Sequence, residues 1–353
     1  MGIFVIAYYS LLLIASCLAA FYNQRSAFLL LFSLTLVSFI VGIIGGADAL
    51  KFIAIAAGVI ALAAMVSYAF REFLILIVSR EVAKELRTAP LTAGFGMFVI
   101  FTYAVAGVFA PWIAPFGEAE VIASAFAPAD ENMLLGADQL GRDMFSRLIY
   151  GTRNSVGLAL TATLLAFFVG AFLGLLAATK GGFLDNMLGR VADVIMSIPS
   201  LIFALLMLSI FGPSMPVIII AVSIIYAPRV FRLTRAVAGD VVVMDYIEAA
   251  KLRGEGTGYL IRREILPNST APLIAEFGLE FCFVFLLVAG LSFLGLGIQP
   301  PTADWGSMVR ENATLISFGE ITPLIPAAAI ALLTVGVNFV VDWMLHRSSG
   351  LKE

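Results

Sequence analysis

Nine runs of about 20 mostly apolar residues, separated by short polar segments, limit what this chain can fold into. They fall at 2–22, 27–46, 51–70, 94–116, 155–178, 191–211, 216–234, 272–297 and 321–343. Hydrocarbon offers no water to satisfy peptide groups, so a run of this kind crosses a bilayer as a helix. Hydrophobic residues make up 61% of the 353 and charged ones only 13%, too much apolar surface for a water-soluble domain. The expectation is an all-α, multi-pass integral membrane protein.

Loop charge predicts which side each loop occupies, because Lys and Arg collect in the cytosol. The segment after the third run carries Arg71, Arg80, Lys84 and Arg87 beside Glu72, Glu81 and Glu85, and reads as cytosolic and partly interfacial. The stretch from Glu118 to Asp143 holds Glu118, Glu120, Asp130, Glu131, Asp138 and Asp143 against Arg142 alone, which suits the external face. Arg229, Arg232, Arg235, Arg262 and Arg263 flank or lie within the segment after the seventh run, the densest positive region, and place it in the cytosol. Counting spans from there gives every other loop the same side, with the N-terminus outside and a basic tail of His346, Arg347 and Lys352 inside.

Several function classes have little to work with. Cys17 and Cys282 lie inside apolar runs, which argues against a disulfide framework or a metal cluster. A net charge of −3 and a pI near 5.4 make nucleic acid an unsuitable partner. The single histidine is in the tail, and no nucleophile, base or metal-ligand set is clustered as a membrane enzyme would need. Ile14-Ala15-Ser16-Cys17 has the look of a lipoprotein cleavage box, but no Lys or Arg precedes it, so the first run reads as a retained helix.

The most informative polar segment runs from Asp245 to Pro267, DYIEAAKLRGEGTGYLIRREILP. Asp245 is placed to cap a helix with Glu248 three residues on, and Gly254 stands where a left-handed C-terminal residue is wanted. This predicts a helix from Tyr246 to Arg253 whose Ala249 and Ala250 let another backbone approach, between Lys251 and Arg253. A second short helix, Gly258 to Leu266, is expected to end at Pro267. On spacing alone this is a well-capped loop between spans.

Its spelling, Glu248-Ala249-Ala250, three residues, Gly254, then Ile265-Leu266-Pro267, resembles the EAA loop of the membrane subunits of ATP-binding-cassette (ABC) importers. The family pattern has an Ile two before the Leu-Pro; here Glu264 holds that place and Ile265 follows. The resemblance implies a coupling helix docked in a groove of a cytosolic ATPase, with Asp245, Glu248, Ala249, Ala250, Arg253, Gly254, Ile265, Leu266 and Pro267 as its ATPase-coupling residues. Three more stretches resemble the second permease of dipeptide, oligopeptide and nickel systems, in that family's order. They are LLGADQLGRDMFSRLIYGTR at 134–153, with Ala137 where Thr is usual; Ile198-Pro199-Ser200; and AGLSFLGLGIQPPTADWGSM at 289–308. The implied fold is a six-helix type I permease domain over 91–353, with its EAA loop at 240–268. Residues 1–90 depart from the family as an extension with about three more spans.

Each stretch also has a physical reading. Asp143 and Arg147 are spaced for an i, i+4 ion pair on an amphipathic segment, which is equally a capped interfacial helix. The resemblance would put Asp138, Gly141, Arg142, Asp143 and Trp305 at the external mouth, Trp305 as an interfacial aromatic. Pro199 should kink the span 191–211. Gly290, Gly295 and Gly297 allow close helix contact, as do Gly170 and Gly174, a small-xxx-small pair able to serve dimerisation. Gln299-Pro300-Pro301 stops the preceding helix.

Glu276 and Glu280 share one face of a span, where a carboxylate costs about 2.5–3.5 kcal/mol on the insertion scale. With Pro199 they are the pathway or gate candidates: they either line the inner half of a route and favour amine-bearing solutes, or hydrogen-bond to a partner permease. No GxxxxGK[ST] phosphate loop occurs, so this chain has no such device for ATP. The resemblance implies a non-catalytic peptide permease in the inner membrane, paired with a homologous permease. Two ABC ATPases would carry ATP and Mg, and an extracytoplasmic solute-binding protein would deliver cargo. The rival is an ion-coupled secondary transporter or channel, for which the main spans add only Asp193 and Asp342, both near span ends.

Overall fold

A computed structural model describes Arg25–Ser348 together with Leu12 and Ala15. The run expected at 2–22 otherwise lies outside the described residues, as does Lys352 of the tail. The chain divides into two compact units, Met1–Ala83 and Lys84–Glu353.

In the first unit the runs expected at 27–46 and 51–70 form one uninterrupted helix, α1 (Arg25–Ile77), within which Ile55–Ile77 has the length and hydropathy of a span. The expected turn at 47–50 is absent because Gly45 and Gly46 cost a helix only about 1 kcal/mol each and no proline stops it.

A short helix, α2 (Arg80–Arg87), contains the division at Ala83, and the second unit is helical along the segments α3 (Leu91–Val108), α4 (Met144–Lys180), α5 (Gly182–Met196), α6 (Ser200–Phe211), α7 (Met215–Val242), α8 (Asp245–Leu252), α9 (Thr257–Phe293), α10 (Trp305–Asn312) and α11 (Leu324–Ser348). Among the described residues, Ile55–Ile77, α3, α4, α7, α9 and Leu324–His346 are long and apolar enough to cross a membrane, and the bent pair α5–α6 makes one more candidate.

The span expected at 191–211 is broken. α5 and α6 meet at 84° across Ser197–Pro199. A proline disfavours helical backbone in the residue before it, so Ile198 ends one helix and Pro199 caps the next instead of kinking a continuous one. The 12 residues of α6 rise only about 18 Å, short of a hydrocarbon core of about 30 Å. Pro267 behaves in the opposite way to expectation. It sits in the first turn of the α-helical part of α9, directly after a π-helical turn, Leu260–Ile265, and the helix runs on through it to Phe293. The wider turn accommodates a residue that has no N–H to donate. α4 carries a similar π-turn at Thr152–Val156.

Packing follows the rule for helices in lipid, where small side chains replace hydrophobic burial as the basis of association. Ala159, Ala162, Ala166, Gly170 and Gly174 form a buried stripe on α4, and α7 lies against it. A Cβ on Gly170 would stand 2.5 Å from the Ala227 carbonyl oxygen, and one on Gly174 2.8 Å from that of Phe231. This pair is therefore used inside the chain, and not for dimerisation. Around the seam the core is completed by Val222, Ile225 and Tyr226 of α7, Phe281, Phe285 and Val288 of α9, and Leu333 and Val337 of α11.

Gly170→Leu should force α4 from α7 and lower stability by roughly 1–3 kcal/mol. Gly189→Ala, on α5 with open space around it, should leave stability unchanged or slightly raised. Thermal unfolding of the two variants in detergent distinguishes them.

Candidate functional site

The segment after α7 folds as a helix held on one side and free on the other. Met244, not Asp245, is the N-terminal flanking residue of α8, and Asp245 and Glu248 both occupy its first turn, where the helix dipole favours carboxylates. The helix starts and stops one residue before the expected Tyr246–Arg253. Gly254 has φ +86°; its N–H donates to Lys251 O at 2.9 Å and that of Glu255 to Ala250 O at 3.2 Å, the two bonds of a Schellman ending. Ile247 and Ala250 are fully buried against Leu175 of α4, Ala238 of α7, and Leu260 and Ile265 of α9. Ala249, expected beside Ala250 at a close contact, faces out with Glu248, Lys251 and Arg253. Val243 and Leu252 are 79% and 84% exposed, and Met244, Tyr246 and Leu266 are exposed too, as is Pro267.

At the other end of α9, about 55 Å away along its 37 residues, a polar cluster is sealed. Asp138 Oδ2 accepts Arg142 Nε at 2.7 Å and faces Arg147 Nε at 3.2 Å. Glu311 Oε2 lies 3.1 Å from Arg142 Nη2 and 3.6 Å from Arg147 Nη2. Arg147 Nη1 donates to the carbonyls of Glu118 (2.8 Å) and Pro301 (3.2 Å). All four charged side chains are buried. The expected Asp143–Arg147 pair does not form: Asp143 caps α4 by accepting from the Ser146 N–H at 2.7 Å and hydroxyl at 2.6 Å, which leaves Arg147 to the deeper carboxylates. Gly141, at φ +77°, turns the backbone against the Ala123 carbonyl, where a side chain would collide.

Trp305 is buried, not interfacial. Its Nε1 donates to Leu148 O at 2.9 Å, and the ring packs edge-on against Tyr103 and Phe285 in the space left by Gly151. Asp304 caps α10, accepting from the Ser307 N–H at 2.9 Å and the Ser155 hydroxyl at 2.7 Å. Burial pushes its carboxyl up, and those donors pull it back. The cluster thus locks the segment before α4 to the segment around α10. Sequence reasoning missed Glu311 and Asp304, since neither forms a local spacing pattern with its distant partners.

The third group lies between these ends. Arg229 of α7 places its guanidinium 5.2 Å from the Tyr226 ring and 5.5 Å from the Phe283 ring of α9. Phe283 lies on the stripe of α9 that also carries Glu276 and Glu280. Arg229 also lines a cavity of about 250 Å³ at the α5–α6 elbow, with Pro199, Ser200, Ile198, Phe203 and Ile225. Neither glutamate lines this cavity; Pro199 shares it with Arg229, a residue that the sequence alone marks only for topology. Its place nine residues before Ala238, well inside the span, was the available signal. A larger cavity of about 840 Å³ has aliphatic and aromatic walls, with Thr152 and Arg153 on its rim, and holds no opposed charges. Two ion pairs, Asp185–Arg235 and Asp193–Arg232, tie α5 to α7.

Residues 170–349 match the model of a family described as "binding-protein-dependent transport system inner membrane component". The di/tripeptide transport system permease protein DppC of Pseudomonas aeruginosa is 34% identical over 254 residues, 70% of this chain and 84% of that protein. The dipeptide transport system permease protein DppC of Alkalihalophilus pseudofirmus is 34% identical over 74% of this chain and 86% of its own. A probable D,D-dipeptide transport system permease protein, DdpC of Escherichia coli, is 33% identical over 73% and 86%.

Glu311→Gln leaves two buried guanidinium groups facing one carboxylate, and should cost roughly 3–5 kcal/mol, as when one partner of a buried pair is removed. Glu320→Gln, on the surface, should cost nothing measurable. A large drop in melting temperature for the first alone is the expected result.

Proposed function

Because the chain belongs to the family of binding-protein-dependent transport system inner membrane components, we propose that it is one of two permease subunits of an ATP-driven importer of small peptides, worked through α8. Family membership does not favour an ion-coupled carrier or channel. The observation that carries the reading is the two-sidedness of α8: Ile247 and Ala250 are fixed to three membrane-spanning helices, while Val243, Met244, Tyr246 and Leu252 are offered outward among Glu248, Lys251 and Arg253. That is the surface expected of a helix received in a partner's groove.

In this reading α8 lies on the cytosolic side, beside Arg262 and Arg263, and the sealed cluster at Asp138, Gly141, Arg142, Asp143 and Trp305 braces the external mouth. The N-terminus is outside and the C-terminus cytosolic, in the inner membrane. A homologous permease completes the pathway and an extracytoplasmic binding protein delivers the peptide. Two ABC ATPases bind ATP and Mg; this chain binds neither and catalyses nothing. Closure of the ATPases pushes α8. Since Ile247 is packed against α4, α7 and α9 together, the push moves those helices as a body and switches the pathway between its two facing states. Peptide cargo rests on what the relatives carry. Asp245 and Glu248 stabilise the first turn of α8, Ala249 and Arg253 belong to its docking face, and Ile265, Leu266 and Pro267 join it to α9.

Gly254→Val strains a left-handed residue by about 1–2 kcal/mol without meeting any neighbour. It should reduce peptide uptake to a small fraction while membrane insertion persists; uptake at the unmodified level would refute the coupling role. Leu252→Asp, on the exposed face, should lower co-purification of ATPase subunits without altering thermal stability.

A further inference from the structure

Glu280, inside a span, is buried with a carboxylate oxygen unpartnered, and its neighbours Arg229 and Glu276 form no ion pair among the described residues. α9 places Glu276, Glu280 and Phe283 at i, i+4 and i+7 on one stripe, and α7 places Tyr226 and Arg229 at i and i+3. The guanidinium rests over both rings and so bridges the two helices. Through Phe283 it stands against the stripe of α9 that carries both carboxyls, yet among the described residues no carboxylate lies within the 4 Å of an ion pair. Glu280 is buried and its Oε2 has no hydrogen-bond partner. The Asp138–Arg142–Arg147–Glu311 cluster differs, because there the cations and anions meet directly. Intramembrane charge is costly to insert, which makes an incomplete set a mark of function more than of support.

Beside this set is the cavity at the α5–α6 elbow. Arg229 is on its wall, and its volume of about 250 Å³ corresponds to about eight waters at about 30 Å³ each. Arg229 lies about 14 Å along α7 from Ala238, the residue packed beneath α8, so the site is at mid-span and not in the loop, with Glu280 buried and Arg229 exposed on the face of α7. A cation and two carboxyls held near each other but not joined suit a ligand with both charges. A singly charged solute would leave one side unpaired.

We propose that Arg229, Glu276 and Glu280 form a station for zwitterionic peptides inside the permease, Arg229 receiving the terminal carboxylate and the two glutamates the terminal ammonium, at the elbow made by Pro199. This rests on the importer reading and adds to it a site in the membrane subunit that reads the charged ends of the cargo. The elbow gives the site a means of release, since any change in the α5–α6 angle moves Ile198 and Phe203 relative to Arg229.

The test uses inverted membrane vesicles holding the complete transporter, with Cys17 and Cys282 replaced by Ser and Ile198→Cys as a reporter on the cavity wall. Free dialanine should slow maleimide labelling of the reporter several-fold, whereas the same dipeptide capped as N-acetyl methylamide should not. Arg229→Met, or Glu276→Gln with Glu280→Gln, should abolish that protection, each variant being scored against its own labelling rate without peptide. Equal slowing by both peptides, slowing by neither, a reporter that never labels, or protection that survives both variants would overturn the proposal. Uptake of labelled dialanine by intact cells with the unmodified chain is measured in parallel. Its absence defeats the importer reading, and intact uptake with no charge-dependent protection defeats only the station.

Discussion

The packing of Ile247 and Ala250 against Leu175, Ala238, Leu260 and Ile265 joins an eight-residue helix to α4, α7 and α9 at once. An isolated helix of that length is marginal in water, because nucleation costs more than so few hydrogen bonds return. What holds α8 in shape is this anchored face together with its Schellman ending. Both features make it stiff relative to the spans, and stiffness is what allows a displacement at one end to be felt at the other. The π-turn at Leu260–Ile265 belongs to the same joint, since it lets α9 begin outside the apolar run and pass Pro267 without stopping.

The opposite end of the bundle is stiff for another reason. There the chain loops, and burial of charged and polar groups is tolerated because they meet partners of opposite kind: Arg142 and Arg147 between Asp138 and Glu311, Asp304 between Ser155 and Ser307, Trp305 on the Leu148 carbonyl. Between these two fixed ends, α5 and α6 meet at an open angle and leave a polar cavity. The ion pairs from Asp185 and Asp193 bind α5 to α7, which leads directly into α8. The α5–α6 elbow is thus physically connected to the joint at Ile247.

Much of this was legible in the residues. Helical class, the positions of α3, α4, α7, α9 and α11, and the turn at Gly254 follow from apolar run length and from the steric freedom of glycine. The errors have specific causes. Pro199 reads as a kink from sequence because hydropathy does not register that the 12 residues after it are too few to span. Pro267 was read as a stop because a π-turn leaves no mark in composition. Trp305 was given an interfacial place by its type, whereas Gly151 supplies the space that buries it. Arg147 was paired by local spacing, and Glu311, more than 160 residues later, took that role. Long-range partners of this kind have no sequence period to betray them.

The account stands on α8 presenting its outer face to a nucleotide-driven subunit. A photo-reactive amino acid at Tyr246, exposed on that face, tests this most directly in the assembled transporter. Coupling through α8 should give a cross-link to an ATPase subunit whose yield changes between the nucleotide-free and ATP-bound states. Cross-links to lipid alone, or labelling of that position by an impermeant reagent added outside the cell, would contradict it.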